Sequence, residues 1–274
     1  DISSFWGFLS IAVVYSMIYT PTLALTNSLA FHHMPDRDRD FGKVRVWGTI
    51  GWVVVGIGIG QWLLYQYTPV DADAAQKTAE QAIGMHDAFR LSAVLGVLMG
   101  VYCFFLPRTP PQRGEQKFAV AETLKEVRRN PLLMLFLIAV PVSMIHQFYF
   151  VYTSQFLGAY QNEAGATAEA INKVLGVGGG GLMTIGQMTE ILVLAMIPLV
   201  AAKWSRKTLL LIGLCAYALR MFLFSQVQWL HVDLGIPELA TLIAGVSLHG
   251  LCFGCFIFVA FMVVDEETTK DVKA

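Results

Sequence analysis

Three pairs or triplets of side chains are spaced so that they could act together inside an apolar chain. Arg45, Thr49 and Trp52 fall at i, i+4 and i+7, which sets a cation, a hydroxyl and a flat indole along one helical face. Gln187 and Glu190 are three residues apart and share a face of another segment. His146 and Gln147 stand together in a third segment, and His249 stands in a fourth. Glu190 is the one acidic residue expected deep within any apolar segment. A carboxylate there costs at least about 2.5 kcal/mol on insertion scales, so it demands a partner or a task. Proton carriage is the natural task, with His249 as the competing carrier because histidine ordinarily titrates near neutral pH.

Each of these residues also has a plainer reading. Arg45 is equally suited to anchoring its helix at the membrane interface. Arg90 reads as a snorkelling side chain near a membrane face. Arg220 reads as structural, paired with a neighbour or with helix carbonyls, and His249 as a satisfied core histidine. Asn27, with Thr20, Thr22 and Thr26, reads as a hydrogen bonder between helices. Cys252 and Cys255 form a C-x-x-C without the strand and helix that a redox motif needs. No metal set or cofactor loop is expected, and the glycines of 176–181 follow no strand, so they do not read as a phosphate loop.

The elements that must position these residues follow from composition. Of 274 residues, 55% are hydrophobic and 14% charged, against about 25% charged in an ordinary soluble domain. Mean hydropathy is +0.57. A soluble enzyme, a nucleic-acid binder and a disordered chain are excluded, and a net charge of −1 implies no polyanionic partner. The bilayer is the first partner. Seven stretches have the roughly 20 apolar residues that a crossing needs: Phe5–Phe31, Val44–Tyr67, Ala88–Pro107, Pro131–Leu157, Val174–Val200, Thr208–Val227 and Pro237–Val264. The expected fold is all-α, a polytopic membrane protein with seven transmembrane helices.

The connections alternate in basic charge. Arg37, Arg39 and Lys43 follow the first span, and Lys77 follows the second. Arg108, Arg113, Lys117, Lys125, Arg128 and Arg129 crowd the third connection. Lys173 follows, then Lys203, Arg206 and Lys207, then a connection with none, then Lys270 and Lys273. The positive-inside rule puts the N-terminus outside and the C-terminus in the cytoplasm, in a multi-pass plasma (inner) membrane protein. Within the long basic connection, Val120, Leu124 and Val127 share a face with Ala121 beside them. A linker helix is expected there, dividing the chain into 1–112, 113–130 and 131–274.

Several segments carry a resemblance. PTLALTNSLAF (21–31) and FGKVRVWGTIGW (41–52), followed in order by GQMTEI (186–191), LR (219–220) and LHGLCF (248–253), resemble the nucleoside:proton symporter family of the major facilitator superfamily. R-x-W-G-T-x-G-W, beginning at Arg45, is the most specific element. The resemblance implies a partial major facilitator fold of two half-bundles, with these spans matching helices four to ten of twelve. The chain is then an internal piece whose partners include the missing helices. It also implies secondary active transport of a small polar solute, a nucleoside among the candidates, by proton symport with alternating access.

By the same resemblance Arg45, Thr49, Trp52, Gln147, Gln187, Glu190 and Phe253 line the substrate site. Three positions depart from the better-known permeases: Phe150 replaces an asparagine, Gly254 an aspartate and His249 a tyrosine. With Gly254 in place, Glu190 and His249 are the proton-coupling candidates. A seven-helix receptor or sensor is the alternative. No lysine lies within the seven stretches to hold retinal, and neither H-E-x-x-H nor G-x-S-x-G suggests an enzyme.

Overall fold

The computed structural model describes residues 4–35, 37–109, 124–163, 165–177, 181–201 and 203–267. Among the described residues there is helix and loop but no strand, and seven helical segments are long and apolar enough to cross a membrane. The protein is a multi-pass, all-α membrane protein. The elements are α1 (Phe5–His33), α2 (Arg37–Gln66), α3 (Ala74–Cys103), α4 (Leu132–Glu163), α5 (Gly165–Leu175), α6 (Met183–Ala201), α7 (Arg206–Ser225), α8 (Val227–Leu234) and α9 (Glu238–Ser247). The last span continues α9 through α10 (His249–Leu251), a π-helical stretch (Cys252–Phe258) and α11 (Val259–Glu267).

Two boundaries differ most from the hydropathy reading. The third helix begins at Ala74 rather than Ala88, because Asp73 caps it by accepting the Gln76 N–H at 2.8 Å and Ala, Gln, Lys and Glu then favour helix. That extension carries Asp87 into the third span, so Glu190 is not alone among acidic residues in the spans. Asp87 accepts from Trp62 Nε1, Tyr67 Oη and Arg90 Nη1, each at 3.0 Å, and so ties α3 to the end of α2. Arg90 itself stays exposed, as a snorkelling residue does. The fifth span is broken: α5 ends at Leu175 and α6 starts at Met183, with the glycine run between. A third expectation fails on α1, where Thr22 and Thr26 bond carbonyls of their own helix (Tyr19 and Thr22) rather than another helix. The greater part of the 117–129 linker helix falls outside the described residues.

The ends of the spans sort onto two faces. On one, Phe31 and Phe41 from the α1–α2 junction pack with Leu135 of α4, Ile197 of α6, Leu209 of α7 and Phe258 of the last span. His33 Nε2 lies 2.9 Å from Thr109 Oγ1, which brings the start of the 108–130 connection to the same face. Arg206 binds Glu266 beside it. The three strongly basic connections therefore leave from one side, as their charge predicts. On the opposite face the end of α2 meets the α5–α6 break.

That meeting is made by close backbone approach and one side-chain amide. Val177 N–H donates to Gly60 O at 3.1 Å, and Gln61 Nε2 donates to Lys173 O at 3.0 Å. Gly176 has φ +79°, and a Cβ there would lie 2.4 Å from the Gly60 carbonyl carbon. Only glycine satisfies both demands. Burial is uneven along the chain: α1 buries none of its residues, whereas α6 buries Met183, Gln187, Glu190, Leu194 and Ile197 along one stripe.

Candidate functional site

The buried stripe of α6 determines where Glu190 points. Its residues recur at intervals of three and four, so the face that holds Leu194 and Ile197 against the core also holds Gln187 and Glu190. On α2 the corresponding face carries Phe41, Arg45, Thr49 and Gly60, and the two helices pack along their length. Thr49 Oγ1 donates to Glu190 Oε1 at 2.7 Å, with both residues buried. One buried hydrogen bond thus joins the second span to the fifth.

The last span reaches Glu190 through glycine. A Cβ at Gly250 would lie 2.4 Å from the Thr189 carbonyl oxygen, and one at Gly186 would lie 3.0 Å from His249 Cβ. Such close approach requires bare backbone on both helices. Thr189 Oγ1 lies 2.8 Å from both Gly186 O and Ser247 O, and it accepts the Gly250 N–H at 3.3 Å. The regular ladder of the last span is broken at this point, between α9 and α10, and the π-helical stretch follows. Insertions of this kind are frequent at functional sites. Here the break sets His249 against Glu190, with Nε2 3.4 Å from Oε2.

Behind His249 lies Arg220, completely buried. Its Nη1 is 3.1 Å from His249 Nδ1, and its guanidinium lies 3.9 Å from the Tyr149 ring centroid and 5.0 Å from that of Tyr217. The two aromatic faces favour the charge, while its Nε and Nη2 are buried with no hydrogen-bond partner among the described residues. Arg220, read from the sequence as a structural residue paired with a neighbour or with helix carbonyls, is the end of a line that runs through His249 and Glu190 to Thr49.

Aromatic rings surround this polar line. Arg45 lies over the Phe253 ring at 5.0 Å, and Trp52 meets Phe150 edge to face at 5.6 Å. His146 touches Phe150 (4.8 Å) and lies parallel to His249 (6.0 Å), while Tyr217 Oη lies 2.8 Å from its Nδ1. Gln187 is buried, and its Nε2 has no hydrogen-bond partner among the described residues. It is an amide donor beside Glu190 still free to meet an acceptor.

Of the seven residues expected to line a site, six fall in or around this cluster. Thr49, Glu190 and Gln187 are buried, Arg45 and Phe253 half-buried, and Trp52 55% exposed at its edge. Gln147 is not drawn in: it stands on the exposed side of α4, one residue round from His146, and bonds none of the others. His249 joins the cluster as expected. The residues that sequence reasoning did not place there are Tyr149, Tyr217 and Thr189. Tyr149 was within reach of spacing, since His146, Tyr149 and Phe150 fall at i, i+3 and i+4. Tyr217 lies likewise three residues before Arg220. Gly254, where an aspartate was the family's residue, packs so tightly that a Cβ would lie 2.5 Å from Val193 Cγ1. The local packing fits the glycine.

The arrangement offers one buried carboxylate with neutral and basic neighbours, an unpaired amide and several flat apolar surfaces. Among the described residues no group of histidine, cysteine and acidic side chains could hold a metal ion. The buried cysteines Cys252 and Cys255 are both free.

Comparison with known proteins adds the lineage. No solved structure matches the chain. Residues 1–274 match the family model described as "Nucleoside H+ symporter". The chain is 30% identical over 283 aligned positions to the protein named "Putative nucleoside transporter YegT" of Escherichia coli (strain K12), covering 99% of the chain and 58% of that protein. It is 21% identical to "Xanthosine permease" of the same organism, over 98% of the chain and 59% of the permease. It is 20% identical to that organism's "Nucleoside permease NupG", over 96% and 59%. The chain spans under two thirds of the length of these curated relatives. A match over every residue, together with R-x-W-G-T-x-G-W and the buried Gln187–Glu190 stripe, places the chain in the nucleoside H+ symporter family.

Proposed function

We propose that the protein of which this chain forms part carries nucleosides across the plasma (inner) membrane together with protons. Its basic connections would face the cytoplasm and its first helix would start outside. The observation that carries this reading is the Thr49–Glu190 hydrogen bond. It links a span that precedes the 108–130 connection to one that follows it, through a group able to take up a proton. Alternating access between two half-bundles (1–112 and 131–274, joined by 113–130) requires a contact whose strength depends on what is bound. A carboxylate accepting from a hydroxyl is such a contact, because a charge-assisted hydrogen bond is roughly twice as strong as a neutral one.

In this reading Glu190 holds the coupled proton and His249 sits beside it. Arg45 and Gln187 supply donors to ribose hydroxyls or base edges, and Trp52 and Phe253 supply flat faces for the base. Phe150 makes the site less polar than an asparagine would. The family's transporters, and a cluster built across five spans around one acid, favour this reading over a seven-helix receptor. The remaining length of the relatives corresponds to helices outside this chain that complete the two halves.

The test is uptake of labelled nucleosides by the full-length protein in proteoliposomes with an imposed pH gradient. Accumulation that collapses with the gradient is expected. Glu190→Gln should abolish accumulation yet keep nucleoside exchange. Accumulation by Glu190→Gln equal to that of the unaltered protein would remove Glu190 from coupling, and indifference to every nucleoside would remove the substrate class.

A further inference from the structure

We propose that Arg220 is a positioning residue for the proton step. It fixes His249 in the tautomer that carries its hydrogen on Nε2, so that His249 orients the Glu190 carboxylate while the coupled proton stays on Glu190. This rests on the reading of Glu190 as the proton carrier. Arginine has five donors and no acceptor and is not deprotonated in proteins. The 3.1 Å contact between Arg220 Nη1 and His249 Nδ1 is therefore a hydrogen bond from the guanidinium to a ring nitrogen with a lone pair. An imidazole whose Nδ1 accepts must place its hydrogen on Nε2, and that atom is the one 3.4 Å from Glu190 Oε2. Protonating Nδ1 would set two donors against each other at 3.1 Å. Geometry thus divides two residues that composition leaves equal.

Neither partner is free to turn away. Arg220 is completely buried and held over Tyr149 at 3.9 Å, and His249 is 1% exposed with its Cβ seated against Gly186. Around His249 stand Glu190 from α6, Arg220 from α7, and His146 and Tyr149 from α4. From α2, Thr49 reaches Glu190 and Arg45 lies over Phe253. Ring flipping would turn Cδ2 toward Arg220 and Cε1 toward Glu190 and forfeit both contacts.

The consequence falls on Glu190. Its Oε2 faces an N–H that cannot become an acceptor while Arg220 holds the far nitrogen, so a proton arriving on the carboxyl has its place on Oε1. There the Thr49 hydroxyl can rotate from donor to acceptor. Loading is steered to the oxygen that bridges α2 and α6.

The experiment is nitrogen NMR of the full-length protein in lipid bilayers with ¹⁵N-labelled histidine, His249 being assigned by its loss in His249→Gln. An unprotonated Nδ1 and a protonated Nε2 are expected, unchanged from pH 5 to pH 8. An imidazolium signal or an Nδ1–H tautomer in that range would overturn the proposal. Arg220→Lys, which retains a donor, should keep the signal. Arg220→Gln should release it into a tautomer mixture or imidazolium, and nucleoside exchange should gain a second pH dependence that vanishes in Arg220→Gln/His249→Gln. If Arg220→Gln fails to fold, the unaltered protein's spectrum decides alone. The expected spectrum without proton-driven uptake would remove the transport reading only, whereas uptake with an imidazolium at His249 would remove this proposal only.

Discussion

Replacing Thr49 by valine removes a hydroxyl and little else, since the two side chains have nearly the same shape. In the folded protein that hydroxyl donates to Glu190 Oε1 at 2.7 Å in a buried setting. Hydrogen bonds to charged groups contribute about 1.5–3 kcal/mol, and each 1.36 kcal/mol is tenfold in an equilibrium. Thr49→Val should therefore shift the balance between α2 packed on α6 and α2 separated from it by about 10- to 150-fold. The bond is strongest while Glu190 is ionised, so the shift should grow as pH rises and shrink as the carboxyl is protonated. Spin labels at Tyr65 and Val174, both exposed and close to the Gly60–Gly176 contact, report the separation by pulsed electron resonance in the full-length protein. Thr49→Val should populate a longer distance at alkaline pH, while Thr49→Ser should keep the short one. Identical distance distributions for Thr49→Val and the unaltered protein at alkaline pH would refute the idea that this bond holds the two spans together.

Gly250→Ala should lower thermal stability in detergent by about 1–3 kcal/mol, the usual cost of overpacking, because its Cβ meets the Thr189 carbonyl; Gly51→Ala, with nothing within 4 Å, is the neutral control. Gly176→Ala should destabilise likewise and weaken nucleoside exchange, as both its positive φ and the Gly60 backbone exclude a side chain; an unchanged melting temperature would count against the seam. Arg45→Ala should weaken nucleoside affinity in the full-length transporter, and equal uptake at equal affinity would take Arg45 out of the site. Tyr217→Phe should cost about 1 kcal/mol through the lost bond to His146, and full stability would show that the contact contributes nothing.

Hydropathy was enough to find the seven crossings, since the bilayer imposes length and apolarity on every span. It was blind to where α3 begins, because Asp73 and the polar turns after it form helix without being apolar. The i, i+4 spacing set Arg45 and Thr49 on one face, and i, i+3 set Gln187 beside Glu190. The meeting of those two faces is a long-range fact that no local pattern contains. Arg220 and His249 show the same limit more sharply. Arg220 read as a structural residue with some neighbour or carbonyl for a partner, and His249 as a core histidine or a proton carrier; only the packing of α7 against the last span reveals them as each other's partners. Gly60 and Gly176 belong to different segments, and nothing in either announces the other. Gln147 shows the converse: a residue assigned by resemblance lies on the exposed side of its helix in this chain.

The seam between Gly60 and Val177 has a further consequence, which concerns water. Bare glycine backbone makes the closest approach there, and the Gln61 side chain bonds across it. Parting the two elements exposes the Gly60 carbonyl and Val177 amide that were satisfying each other, and with them the Gln61 amide and the Lys173 carbonyl. In hydrocarbon, unsatisfied groups of that kind cost several kcal/mol each, whereas in water all are solvated at once. The seam can therefore open cheaply only where solvent enters behind it. Hydration, rather than side-chain rearrangement, sets the barrier to separating α2 from α5 at this end of the protein.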